Sequence, residues 1–196
     1  MLSYQEFKDQ LKTLPQSITN VWKLNSQQEQ LYPYSIQTVY IPGNDVPTLN
    51  ISIEPTTDIP CDNNNPSIFT RASGDYNTNL TRLEFKVTYS TVYSEPLLLL
   101  RLWRLDTDDE IGLTTKLWFP VDINKLLFGK EEEDDVPFRV SLDTFDGLGG
   151  TWYFFHACDT GAIVGGEGVV DECYLRRWIS VFLVSWWGEP GRLILT

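Results

Sequence analysis

The pattern that most limits the folds open to this chain lies in residues 82–105. Over Arg82–Tyr89, apolar residues alternate strictly with polar ones, as in a strand with one buried face. The run Leu97–Leu105 is apolar at nearly every position, and Thr91–Glu95 connects the two runs. Because Pro96 holds the residue before it in an extended conformation, the segment predicts an antiparallel β-hairpin.

Helices and further strands are predicted on both sides of this hairpin. Ser3 and Glu6 form a capping-box pattern that opens a short amphipathic helix, which Pro15 is expected to end. Three prolines break residues 31–53 into edge strands or irregular segments. The other predicted elements are strands at Thr115–Phe119, Phe138–Leu142 and Trp152–Phe155, a short helix at Asp122–Leu127 closed by Gly129, and a helix at Val169–Trp187. This order predicts an α+β fold with an N-terminal helix, an antiparallel β-meander and a C-terminal helix.

Length and charge narrow the class of protein. A chain of 196 residues is expected to form one domain over 1–196, with a mobile loop at 54–81, where Pro, Asn, Asp, Ser and Thr dominate. A net charge of −12 opposes binding to nucleic acid. No window is long and apolar enough for a transmembrane segment. Three irregularly spaced cysteines indicate free thiols, and hence a cytoplasmic protein.

An aromatic run that ends in a thiol is the candidate functional segment. Trp152–Phe155 is followed at once by His156, the only histidine, and then by Ala157 and Cys158. Asp159 and the residues after it are typical of a loop. The pattern predicts a buried strand that delivers a cysteine to a surface.

Several thiol chemistries fail on residue spacing. Tyrosine-phosphatase chemistry needs an arginine where this chain has Val164, and a redox pair needs a nearby second cysteine, whereas the next one is Cys173. Three cysteines and one histidine without paired spacing do not indicate a zinc site, so no metal or cofactor is predicted. A protease needs an imidazole aimed at the sulfur. His156 is the sole candidate, and its position suits bracing of the strand end better.

The remaining reactive possibility for Cys158 is to carry an acyl group as a thioester. Such a thiol needs exposure and an oxyanion donor but no strong base. The alternative is that Cys158 is a buried small hydrophobe in a non-catalytic interaction module. Cys173 is expected to be buried in the C-terminal helix, Cys61 to be incidental, and His156 is equally interpretable as a structural histidine.

Residues His156 to Thr160 resemble the His-Pro-Cys signature of the autophagy ubiquitin-like-conjugating enzymes. The preceding run Trp152–Phe155, the hairpin Thr88–Trp103 and the segment Tyr174–Ser180 are similar to the smaller of the two enzymes in that family, as is Tyr4–Phe7 more loosely. The resemblance covers residues 82–187 well and the intervening loop 54–81 hardly at all.

This resemblance implies a ubiquitin-conjugating-enzyme-like fold and a transferase. Cys158 would receive the modifier, autophagy-related protein twelve, from the activating enzyme, autophagy-related protein seven. It would pass it to a lysine of autophagy-related protein five, with recruitment of the cytoplasmic enzyme to autophagosome-forming membranes.

One residue departs from the family signature, and one common catalytic residue has no counterpart. The family proline before the cysteine is Ala157, which leaves the backbone less constrained. Ordinary ubiquitin-conjugating enzymes use an asparagine upstream of the cysteine, but this chain has none between Asn124 and Cys158. Tyr93 in the hairpin connection is the predicted substitute, because a phenolic hydroxyl can donate to an oxyanion and accept from an amine. The alternative is that Tyr93 closes the core.

Overall fold

A single antiparallel sheet covered by helices organises the described part of the chain. The computed structural model describes residues 2–25, 34–40, 46–54, 72–74, 76–108, 110–128, 140–156, 164 and 172–182, with the backbone alone at 17–25 and 34–40. The strands are β1 Tyr34–Tyr40, β2 Pro47–Ile53, β3 Leu80–Ser90, β4 Glu95–Asp108, β5 Gly112–Trp118, β6 Val140–Phe145 and β7 Gly150–Phe155. The helices are α1 Tyr4–Asn25, α2 Ile123–Phe128 and α3 Tyr174–Phe182, with a 3-10 turn at Asp146–Leu148.

The seven described strands form one sheet in the order β1-β2-β3-β4-β7-β6, and β5 also pairs with β4. All of these pairings are antiparallel. The long strand β4 is central: β7 pairs with it at Leu99 and Leu100, and β5 pairs with its later residues Leu102–Asp108. The predicted α+β class, with an N-terminal helix, an antiparallel sheet and a C-terminal helix in chain order, is confirmed.

The hydrophobic core lies on one face of the sheet, beneath α1 and α3. Alternate residues of the central strands, such as Phe85 and Leu100, point into it and are at most 1% exposed. Phe7 and Leu11 of α1 and Trp178 of α3 close it from the other side. A smaller cluster of Leu99, Leu148 and Trp152 covers part of the opposite face. Both faces of β7 are therefore packed, which explains its unbroken aromatic sequence.

Helix α1 is longer than the sequence predicts. The predicted capping box is present, since Ser3 N donates to Glu6 Oε2 at 2.8 Å and Glu6 N donates to Ser3 Oγ at 3.3 Å. The helix was expected to end at Pro15, but it continues to Asn25. That expectation is wrong because a proline removes one intrahelical N–H and bends a helix without having to end it.

Other boundaries shift by smaller amounts. Strand β5 begins three residues before the predicted Thr115, and α3 begins at Tyr174 rather than at Val169. Strand β1 is an edge strand of the described sheet, but β2 is not, because β1 and β3 pair with its two sides. Its Pro47 is tolerated as the first residue of the strand. Most of the predicted loop 54–81 lies outside the described residues.

None of the helices in the described ranges combines the length and the apolarity that crossing a lipid bilayer would require.

Candidate active site

His156 follows β7, and the neighbouring strand β6 fixes its ring. The Nε2 atom lies 2.8 Å from Oγ of Ser141. Ser141 pairs with Phe154, which lies on the same face of β7 as His156. The Phe154 ring packs against the imidazole with 4.7 Å between ring centroids. A hydrogen bond and a ring contact therefore set the orientation of His156.

The partner of Nε2 also decides what Nδ1 can do. A neutral imidazole carries one N–H and one lone pair, so the two ring nitrogens have opposite roles. If Ser141 donates to Nε2, then Nδ1 bears the proton and is a donor. If Ser141 accepts from Nε2, then Nδ1 is an acceptor. Either way, the hydrogen bond to Ser141 presents one oriented polar atom at the end of β7.

Tyr93 lies in the turn 91–94 between β3 and β4, referred to below as the Tyr93 turn. Its side chain is 56% exposed, and the neighbouring Val92 is 83% exposed. The alternative in which Tyr93 closes the core therefore disagrees with its exposure. The backbone N–H of Tyr93 donates to Ser90 Oγ at 3.4 Å. The phenol is thus presented to solvent from a turn whose backbone is hydrogen-bonded.

The N-terminus also holds this turn. Ser94 adopts a left-handed conformation, with φ of 52°, which is uncommon for a residue other than glycine. Its carbonyl accepts a hydrogen bond from Leu2 N at 3.1 Å, and the Leu2 carbonyl accepts one from Tyr89 Oη at 2.7 Å. Leu2 is fully buried. The segment before α1 therefore anchors the turn on both sides.

Sheet register places the Tyr93 turn and His156 at the same end of the sheet. Phe154 of β7 pairs with Leu99 of β4, and the two strands are antiparallel. Each step along β7 toward His156 is consequently matched by a step along β4 toward Glu95, where the Tyr93 turn ends. His156 lies two residues beyond Phe154, or about 7 Å along the strand. The sequence continues from this end directly to Cys158.

Two cations on the sheet face that points away from the main core fix the start of β7. Arg101 donates to the carbonyls of Thr151, at 2.8 Å, and Gly149, and its guanidinium lies 3.8 Å from the centroid of the Trp152 ring. Lys86 Nζ lies 4.5 Å from the same centroid. Burial lowers the pKa of both cations, and the nearby Glu84 opposes this shift. These contacts set the register of β7 and therefore the position of its far end.

Cys158 and Ala157 lie outside the described residues, as does Cys61. Of the three predicted site residues, His156 and Tyr93 are described, and they lie at the same end of the sheet. Cys173 is described, and the expectation that it is buried in a helix is wrong: it is exposed and precedes α3 by one residue. Across the described ranges, no group of three or more His, Cys, Asp or Glu side chains is placed to hold a metal ion.

Ser141 is a site residue that the sequence patterns do not single out. They predict strands near Phe138–Leu142 and Trp152–Phe155, and the glycines between them indicate a turn. The two runs alone do not fix the register of that hairpin, which pairs Ser141 with Phe154. The signal that could have found it is the pair Gly149 and Gly150, both of which have positive φ and mark where the turn ends.

The chain is similar to known proteins over most of its length. Residues 6–189 match the profile of a family described as autophagocytosis associated protein, active-site domain. The ubiquitin-like-conjugating enzyme ATG10 of Saccharomyces cerevisiae is 46% identical over 113 residues, which make up 57% of this chain and 64% of the relative. The match thus spans just under two thirds of the length of that relative.

Two solved structures share the fold. A crystal structure of the autophagic E2 Atg10 has a TM-score of 0.60 at 30% identity, covering 96% of this chain and 98% of that one. The solution structures of KmAtg10 give a TM-score of 0.56 at 25% identity, covering 95% of each chain. With the family profile matched from residue 6 to residue 189, the chain belongs to the family of autophagocytosis-associated proteins that carry this active-site domain.

Proposed function

We propose that this chain is a ubiquitin-like-conjugating enzyme of autophagy, with Cys158 as the residue that carries the modifier. The modifier is autophagy-related protein twelve, the donor is the activating enzyme autophagy-related protein seven, and the acceptor is a lysine of autophagy-related protein five. Relatives named ubiquitin-like-conjugating enzyme, among them the Saccharomyces cerevisiae protein at 46% identity, support this class of reaction. The enzyme acts in the cytoplasm, at or near autophagosome-forming membranes.

The reaction consists of two exchanges at a carbonyl carbon. In the first, the Cys158 thiolate attacks the thioester that joins the modifier to the activating enzyme, the bond to the sulfur of the activating enzyme breaks, and that sulfur leaves as thiolate. In the second, a lysine amine attacks the new thioester, an isopeptide bond forms, the amine gives up a proton and Cys158 leaves as thiol. Each tetrahedral intermediate bears a negative oxygen that a nearby hydrogen-bond donor stabilises.

Tyr93 and His156 are assigned separate parts in the second exchange. The exposed phenol of Tyr93 donates to the oxyanion or accepts from the incoming amine. His156, with Nε2 bonded to Ser141, holds the end of β7 and orients the approach to Cys158. The hairpin and its neighbouring loops are the proposed surface for the acceptor.

One observation carries this proposal. The β4–β7 register brings the exposed turn of Tyr93 and the strand end that leads to Cys158 to one end of the sheet. An oxyanion donor and a carrier thiol have to meet in space, and they come from segments more than sixty residues apart in the sequence. An interaction module has no such requirement.

Loading and discharge assays test the proposal. The protein is incubated with the activating enzyme, the modifier and ATP, and then the acceptor is added. We expect an adduct that a thiol reductant cleaves, followed by its loss as the acceptor gains the modifier. If the protein binds these partners but forms no reductant-sensitive adduct, it is the non-catalytic interaction module.

A further inference from the structure

A buried hydrogen bond joins the start of β4 to the start of α3. Tyr174 Oη donates to Glu95 Oε2 at 2.6 Å, a distance typical of a hydroxyl bound to a carboxylate. Tyr174 is 6% exposed and Glu95 is 8% exposed. A carboxylate so far removed from water requires a partner, because burying it unpaired is costly. The pair therefore fixes the two elements relative to each other.

Glu95 and Tyr174 begin the elements that follow Tyr93 and Cys158 in the sequence. Glu95 is the first residue of β4, two positions after Tyr93, and it pairs with Ser90, whose Oγ accepts from Tyr93 N. Tyr174 is the first residue of α3, the helix that follows Cys158 in the sequence. A constraint on Glu95 is thus transmitted to the Tyr93 turn through a few backbone bonds.

Helix α3 is itself held firmly enough to act as the fixed partner. Leu175 N donates to Oε1 of Gln10 in α1 at 2.8 Å. Trp178 and Ile179, one turn further along, are each 1% exposed in the core. Because the start of α3 cannot shift without disturbing α1 and the core, the hydrogen bond positions the turn rather than the helix.

We infer that Glu95 and Tyr174 are positioning residues that hold Tyr93 in the geometry needed for transfer to lysine. This inference rests on the proposed function. Both side chains are buried and bonded to each other, so their proposed role is exerted through Tyr93. Their effect is to limit the positions of the Tyr93 hydroxyl, and small displacements of a positioned group cost large factors in rate.

The test compares two Tyr→Phe substitutions, each of which removes one buried hydrogen bond. Tyr174→Phe removes the hydroxyl that binds Glu95. Tyr153→Phe is the matched control, because Tyr153 is 4% exposed and its Oη donates to Pro120 O at 2.6 Å, a carbonyl outside the Tyr93 turn. Glu95→Gln retains an oxygen that accepts from Tyr174 and is the conservative variant. For each protein, amide exchange at residues 91–95, thioester loading and discharge to the acceptor lysine are measured.

We expect Tyr174→Phe to exchange faster at residues 91–95 and to discharge about tenfold more slowly, while loading changes less than twofold. In Tyr153→Phe, the amide-exchange rates of the turn and the discharge rate should both stay close to those of the wild type. Glu95→Gln should retain most of the wild-type discharge rate. Equal exchange and discharge in the two tyrosine variants would overturn the inference. If the wild type does not load, the proposed function fails, whereas the exchange comparison still decides whether the pair holds the turn.

Discussion

Nε2 of His156 lies 2.8 Å from Oγ of Ser141, across the β6–β7 pair. Ser141→Ala should therefore remove the hydrogen bond that helps to orient the imidazole and leave only its contact with Phe154. We expect a loss of about 1 kcal/mol in the free energy of unfolding and a slower discharge of the loaded enzyme. Thr144→Val is the control, because it removes the more exposed Thr144–Thr151 hydroxyl pair of the same two strands, at 3.3 Å. Equal discharge rates in the two variants would show that Ser141 does not position His156.

Replacing the imidazole itself should affect both stability and turnover. His156→Ala removes the bond to Ser141 and the contact with Phe154, so we expect a loss of about 1–2 kcal/mol in unfolding free energy together with slower conjugation. Thermal melting and the conjugation assay measure the two effects. An unchanged melting temperature would count against the bracing role.

Tyr93 should matter for one half-reaction only. Tyr93→Phe keeps the ring and removes a hydroxyl that is exposed to solvent, so stability should hardly change. We expect discharge to lysine to slow by roughly tenfold to a hundredfold, while loading of Cys158 stays close to the wild-type rate. Single-turnover assays separate the two steps. An equal loss in both would mean that Tyr93 supports the structure of the turn.

The start of β7, where the turn from β6 ends, depends on glycine at position 150. Gly150 has φ of 101°, and a Cβ there would lie 3.3 Å from Nη2 of Arg101. Gly150→Ala should cost about 1–2 kcal/mol from the backbone conformation alone. Gly74→Ala is the control, because a Cβ at that position meets nothing within 4 Å. Denaturant unfolding of both variants measures the difference, and similar midpoints would contradict this account of the turn.

The N-terminal cap should make stability depend on pH. Hydrogen bonds from Ser3 lower the pKa of Glu6 in the folded protein. The resulting stabilisation is fully present at a pH above the ordinary glutamate pKa of about 4.3, and it is lost as the pH falls through the lowered pKa of Glu6. Glu6→Gln keeps an acceptor for Ser3 N and should lose less stability over this range. Unfolding midpoints of the wild type and Glu6→Gln are measured from pH 6 to about 3. If the two midpoints change in parallel with pH, Glu6 is not a source of the pH dependence of stability.

Local patterns were sufficient to predict the elements that build the site. The alternation before Tyr89 and the position of Pro96 predicted the hairpin that carries Tyr93, and four successive aromatics predicted β7. These elements are governed by which side chains are buried and by backbone restrictions, both of which are visible over a few residues.

Contacts between distant elements were not predictable in the same way. The pairing of Ser141 with Phe154 and the bond from Tyr174 to Glu95 depend on strand register and helix placement. Helix α1 also continues past Pro15, against its local signal, because a proline can bend a helix without ending it. The exposure of Cys173 follows from a helix start five residues later than the periodicity suggested.

Variants that each lose one cysteine test most directly whether Cys158 is the sulfur that carries the modifier. Wild type, Cys158→Ser, Cys173→Ser and Cys61→Ser are each incubated with the activating enzyme, the modifier and ATP, and the intact masses are measured with and without reductant. We predict a reductant-sensitive adduct on every protein except Cys158→Ser, including Cys173→Ser, which lacks the exposed thiol that could otherwise compete. A reductant-sensitive adduct that persists in Cys158→Ser would contradict the account.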